Sequence, residues 1–77
     1  MIDVRKILVE VCGSDEVLNE GIDLIESGLL DSFAVIEFFS KLEDEGLTIH
    51  ITKIDRNILR SVEKLEKLVK DTISNNY

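Results

Sequence analysis

Residues 28–45 read GLLDSFAVIEFFSKLEDE, and Gly46 follows. Aspartate accepts readily from the free N–H groups of a helix start, and glycine commonly ends one. The stretch therefore predicts a helix from about Ser32 to Glu45 with Asp31 as its N-cap. On a wheel of about 100° per residue with Phe33 at zero, Phe38, Leu42, Val35 and Phe39 fall near 140°, 180°, 200° and 240°. That arc is the face turned toward a core. Phe33 lies nearly opposite it and Ile36 well to one side, with Glu37, Ser40 and Asp44 around them and Glu43 at the edge. A small core covers one side of a helix, so the outer side has the makings of a docking surface: apolar contacts ringed by carboxylates that attract Arg and Lys. The plainer alternative is a solvated helix face with Phe33 tucked under the preceding loop, and periodicity alone leaves both open.

Ser32, at the entrance of this helix, has three possible tasks. It can cap the helix, which is the usual fate of a serine after an aspartate. It can act as a nucleophile, which requires a base and an oxyanion hole; the single histidine, His50, lies in a connection with no acid partner suggested by the sequence, so a serine hydrolase is not expected. It can carry a phosphodiester, at a place where backbone N–H groups and the helix dipole favour an anion.

The flanking sequence supplies the rest of an all-α protein. Upstream, Val4, Ile7, Leu8 and Val11 recur at helical spacing before Gly13, predicting a first helix over 2–12. From Gly13 to Leu30 the period is lost, which predicts a long loop with one short turn near Glu16–Leu18. Such a loop is compatible with a small domain only if Ile22, Leu24, Ile25, Leu29 and Leu30 drop into the core. Downstream, LTIHI is too short and partnerless for a sheet and predicts an extended connection. Thr52 and Asp55 match a capping signal for a short third helix through Leu59. Ser61 then caps a last helix with Val62, Leu65, Leu68, Val69 and Ile73 in one stripe, and the tail SNNY is expected to fray. The expected architecture is a four-helix bundle with a long first loop and a short third helix, one domain over residues 1–77.

Composition narrows the function. Sixteen acidic against nine basic side chains give a net charge of −7, a field that repels nucleic acid and anionic membranes and attracts basic protein patches. The one cysteine, Cys12, forms no internal disulfide and falls in an apolar helical pattern, so it reads as a small buried hydrophobe; no Cys/His cluster has metal-ligand spacing, and no metal is expected. MIDVRKILVEVCGSDE, with its short apolar run broken by charges, suits neither a secretory signal nor a membrane span. A cytoplasmic protein that is not integral to a membrane is expected.

With these readings in place, GLLDSFAVIEFFSKLEDE resembles the acyl and peptidyl carrier protein family, in which an Asp-Ser-Leu-like signature opens the second helix. The resemblance extends over nearly the whole chain. Within the family it is most similar to the D-alanyl carriers of teichoic-acid D-alanylation, on LLDSF at Leu29–Phe33 and on Ile51, Thr52, Asp55 and Arg56. It implies phosphopantetheine on Ser32, derived from coenzyme A, and Asp31 as an aid to the transferase and its metal ion. It also implies Phe33, Ile36 and Glu37 as partner-recognition positions, to which the wheel adds Ser40, Glu43 and Asp44. The implied partners are a phosphopantetheinyl transferase, an acyl- or amino-acid-activating ligase and a downstream acyltransferase, served by a monomer. The carrier's own side chains do no chemistry. Where family members have an aromatic at the end of the second helix, this chain has EDEG, leaving Leu47 as the apolar anchor. A carrier of another biosynthetic cluster and an unmodified helical adaptor are the competing readings.

Overall fold

The structure, a computed structural model, describes residues 2–50 and 54–76. The described residues form three α-helices, α1 (Val4–Cys12), α2 (Ser32–Asp44) and α3 (Val62–Asn76), with two short 3-10 helices at Asp15–Leu18 and Arg56–Arg60. No strand occurs among them. The all-α expectation holds. Thr52 and Lys53 lie outside the described residues, and the element expected there as a short third helix is a 3-10 helix that begins at Arg56.

Each boundary has a local cause. Asp3 accepts from the Lys6 amide at 3.1 Å, so it is the N-cap and α1 starts at Val4, later than the expected residue 2. Gly13 ends the helix in the left-handed region at φ 70°, where a side chain is strained, and its N–H reaches the Val9 carbonyl at 2.9 Å. Gly46, at φ 89°, turns the chain after α2, and its N–H reaches the Glu43 carbonyl. Asp55 caps the second 3-10 helix through the Asn57 amide at 2.9 Å. At the far end α3 continues through Asn76, so residues 74–76 of the tail expected to fray extend the helix; Tyr77 lies outside the described residues.

The core is the common interior of all these pieces. Leu8 of α1, Phe38 and Leu42 of α2 and Leu65 of α3 are sealed from solvent, joined by Val17 from the first 3-10 helix. Phe38 and Phe39 meet edge to face, centroids 5.2 Å apart at 82°. The α2 wheel holds for Phe38, Phe39 and Leu42, but Ala34, near 100° on the same wheel, is buried as well, which widens the core arc, while Val35 within that arc is only half-buried because it borders an open cleft. Leu47 is buried and supplies the expected anchor after α2. Cys12 is half-buried against the core.

The long loop earns its place through Leu24 and Leu30, both buried, while Ile22, Ile25 and Leu29 are half-buried. Its backbone is tied down rather than free. Asp23 Oδ1 accepts from the Ile25 and Glu26 amides at 3.0 Å each, and its Oδ2 accepts from Arg60 Nη1 at 3.1 Å. The Leu24 amide donates to the Arg60 carbonyl at 2.8 Å and the Leu30 amide to the Leu24 carbonyl at 3.0 Å. This clip presents the residues before α2 in one arrangement and fixes where Ser32 emerges. No helix among the described residues is long and apolar enough to cross a membrane.

Candidate functional site around Ser32

At the start of α2 the capping duty falls to Asp31, not to Ser32. Asp31 Oδ1 accepts from the Ala34 amide at 2.8 Å, and the Asp31 carbonyl accepts from the Val35 amide at 2.9 Å. Ser32 is therefore the first helical residue, exposed, and its hydroxyl has no hydrogen-bond partner among the described residues. A hydroxyl at the positive end of a 13-residue helix, excused from structural work, is open to covalent modification by an anionic group.

The outer face of α2 carries the two most exposed large hydrophobes described, Phe33 at 71% and Ile36 at 61%. Three residues apart on one helix, they form a continuous apolar spot, so the tucked-under alternative for Phe33 does not hold. Ser40, Glu43 and Asp44 are exposed beside it, and Glu37 is half-buried, more sheltered than its wheel position suggests. Lys41, the one base on α2, is drawn to Glu10 of α1 at 3.5 Å, which leaves the outer face acidic. All eight sequence-derived positions, Asp31, Ser32, Phe33, Ile36, Glu37, Ser40, Glu43 and Asp44, thus lie along one element.

Beside Ser32 an open cleft of about 560 Å³ runs between the loop, α2 and the second 3-10 helix. Ile25, Val35, Ile36, Ile54 and Leu59 give it apolar walls, and Arg56 is its one cationic lining residue. The sequence reading missed Ile54, Arg56 and Leu59 as cleft walls, because residues 22 and more positions from Ser32 become its neighbours only through the tertiary fold, to which the Asp23–Arg60 clip contributes. The available signal was Arg56 itself, a base within a predominantly acidic chain.

His50 is exposed and does not line this cleft, so nothing pairs it with Ser32 as a catalytic base. Among the described residues no group of His, Cys, Asp and Glu side chains is disposed to hold a metal ion. Burial pushes the Cys12 thiol above its ordinary pKa, with the Asp31 carboxylate adding to the effect, so it is a poor nucleophile.

The model of the phosphopantetheine attachment site family matches residues 3–69. The chain is 42% identical to the D-alanyl carrier protein of Bacillus velezensis over 57 residues, 71% of this chain and 73% of that protein. It is 36% identical to the D-alanyl carrier protein of Bacillus licheniformis over 67 residues, covering 84% and 86%. With that of Enterococcus faecalis it shares 37% over 57 residues, covering 71% and 73%. The family match takes in α1, the loop, α2 and the first half of α3, so the likeness is not confined to one motif.

Proposed function

The chain belongs to the phosphopantetheine attachment site family, and on that premise we propose that Ser32 is its attachment residue and D-alanine its cargo. Members of this family carry phosphopantetheine covalently and act as carriers, not enzymes. The observation that carries the Ser32 assignment is the division of labour at the α2 start: Asp31 caps the helix and the neighbouring hydroxyl is exposed and unengaged among the described residues. A group bound there supplies a terminal thiol that holds an acyl unit as a thioester on a flexible tether, giving each docked enzyme a high local concentration of it. The chain's own residues present and orient. Asp31 fixes the backbone that displays the hydroxyl, and its carboxylate is available to the metal ion of the transferase.

Phe33 and Ile36 are the apolar anchors for visiting enzymes, and Glu37, Ser40, Glu43 and Asp44 surround them with acidic and hydroxyl groups. Docking of this kind is fast and weak, steered by charge, as suits a carrier passed from a transferase to an amino-acid-activating ligase and on to an acyltransferase. The 3-10 helix at Arg56–Arg60 stands where carriers of this architecture have a short helix, which supports the reading of residues 1–77 as one four-helix carrier domain. The D-alanyl cargo rests on the names of the relatives and on LLDSF and Asp55-Arg56 in this sequence.

Incubation with coenzyme A, magnesium and a broad-specificity transferase should add the mass of one phosphopantetheine, and Ser32→Ala should abolish the gain. A folded sample with no gain rejects the carrier reading of this serine in favour of an unmodified adaptor. The holo protein should then accept D-alanine from a D-alanine-activating ligase in preference to other amino acids; loading with another acid instead assigns a different cargo.

A further inference from the structure

The cleft at Ser32 has a cation without an anionic partner among the described residues. Of the three arginines, Arg5 is committed to Glu66 at 3.0 Å and Arg60 to Asp23 at 3.1 Å. Arg56 makes no ion pair among the described residues, although the chain holds sixteen carboxylate side chains. Its neighbour Asp55 spends Oδ1 on the Asn57 amide. Arg56 is exposed, and it lines the same cleft as Ser32.

The start of α2 contributes a second, independent set of donors. With Asp31 accepting from the Ala34 and Val35 amides, the N–H groups of Ser32 and Phe33 have no acceptor among the described residues. Ser32 thus shares one cleft with unsatisfied amides at the start of its own helix and with Arg56 of the second 3-10 helix. In the same cleft, Ile54 and Leu59 offer apolar surface of the kind that the branched hydrocarbon next to a pantetheine phosphate covers favourably.

We propose that Arg56 binds the phosphodiester joining phosphopantetheine to Ser32 and seats the first part of the arm along Ile54 and Leu59. The inference rests on Ser32 being the attachment residue. A guanidinium matches phosphate oxygens in a two-pronged, charge-assisted geometry that a lysine ammonium reproduces only in part. An exposed ion pair alone is weak and screened by salt. Here the phosphate is already tethered beside its partner, so no association entropy opposes the contact. The added negative charge would otherwise meet the Asp31 carboxylate in a chain of net charge −7. Arg56 is a positioning residue: it holds the near end of the arm and leaves the thioester end free.

The test is phosphorus NMR on the full-length holo protein, as wild type, Arg56→Gln and Arg56→Lys, each sample first weighed by intact mass spectrometry. In wild type the phosphorus resonance should be displaced from that of the same serine-linked diester in the urea-unfolded holo protein. Arg56→Gln should lose most of that displacement, Arg56→Lys should fall between, and added salt should move wild type toward the glutamine variant. Unchanged amide resonances in α1 and α3 would establish that the variants are folded. Identical phosphorus shifts in wild type and Arg56→Gln at low salt overturn the contact. It is overturned equally if Arg56→Gln impairs loading by a ligase without altering the phosphorus signal, because the arginine would then contact an acidic group on the partner. Absence of any mass gain removes the Ser32 assignment itself, whereas a full gain with an unresponsive phosphorus signal removes only the role of Arg56.

Discussion

Ser61 and Ser32 each stand at the start of an α-helix, and only Ser61 is put to use by the fold. Ser61 precedes α3; its hydroxyl donates to Glu63 Oε2 at 2.8 Å and accepts from the Lys64 amide at 3.4 Å. Glu63 in turn is held below its ordinary carboxylate range, first by its own backbone N–H and then by the Ser61 hydroxyl. Ser14 does similar duty ahead of the first 3-10 helix, accepting from the Glu16 amide at 3.1 Å. At Ser32 the equivalent work is done one residue earlier by Asp31, and the hydroxyl is left over. The same residue type in nearly the same setting is structural in one place and available in the other. What separates them is whether a better cap precedes the serine.

The largest consequence concerns modification. Ser61→Ala should take up phosphopantetheine to the same mass as wild type, while Ser32→Ala should take up none. A Ser61→Ala protein that folds but stays unmodified would end the contrast between the two hydroxyls.

Next in size is the contrast between the two faces of α2. Phe38→Ala, at a fully sealed position edge to face with Phe39, should lose about 3–5 kcal/mol in urea unfolding. Phe33→Ala, on the opposite exposed face, should stay within about 0.5 kcal/mol of wild type. Its cost should instead appear as slower modification by the transferase. A large loss of stability in Phe33→Ala would move that ring into the interior and remove it from the docking surface.

Smaller again are the caps themselves. Asp31→Ala and Ser61→Ala each remove a side-chain acceptor from a helix start and should each cost on the order of 1 kcal/mol, whereas Ser32→Ala should cost nearly nothing. Equal thermal shifts for all three would mean that Ser32 caps after all.

The part of this pattern visible in the sequence is the part governed by local rules. Asp31 before an apolar period, Gly13 and Gly46 after one, and the stripe of Val62, Leu65 and Val69 depend on neighbours within a few residues, and the structure agrees with each. The exposed apolar spot on α2 was legible because a helix has a fixed angular period, so Phe33 and Ile36 could be seen to miss the core arc. Local rules misjudged the α2 face by one position, since Ala34 is small enough to pack closely where the helix meets the core and Val35 is turned partly toward the cleft. The long loop was legible only as a loop. Its organisation depends on Asp23 meeting Arg60, 37 residues away, a pairing that no periodicity encodes. Arg56 and Ile25 went unnoticed as neighbours of Ser32 for the same reason: the cleft is a product of the tertiary fold, to which that distant pairing contributes.

The Asp23 clip allows the finest form of the comparison, because its carboxylate, like the Ser61 hydroxyl, is fully engaged by the fold. The Glu26 amide holds the Asp23 carboxyl below its ordinary range, with the Ile25 amide and Arg60 acting in the same direction against a smaller opposing effect of burial. A folded pKa below the unfolded one stabilises the protein in full above the unfolded value, and the contribution is lost as pH falls through the depressed folded value. In Asp23→Asn the side-chain oxygen can still accept from the two amides, but the charge is gone. Its stability should therefore fall slightly short of wild type at pH 7, and the shortfall should shrink as the pH is lowered from the ordinary aspartate range into the depressed range where Asp23 protonates in the folded protein. Because the group is well solvated, the difference is expected to be the smallest of the series and to diminish with salt. Urea unfolding of the two proteins across this range measures it, and a gap that stays constant down to acid would exclude a role for the Asp23 charge. Modification at Ser32 at pH 7 should be unchanged in Asp23→Asn as long as the two amides keep their acceptor, since what the clip supplies to that hydroxyl is a fixed exit from the loop and not a charge.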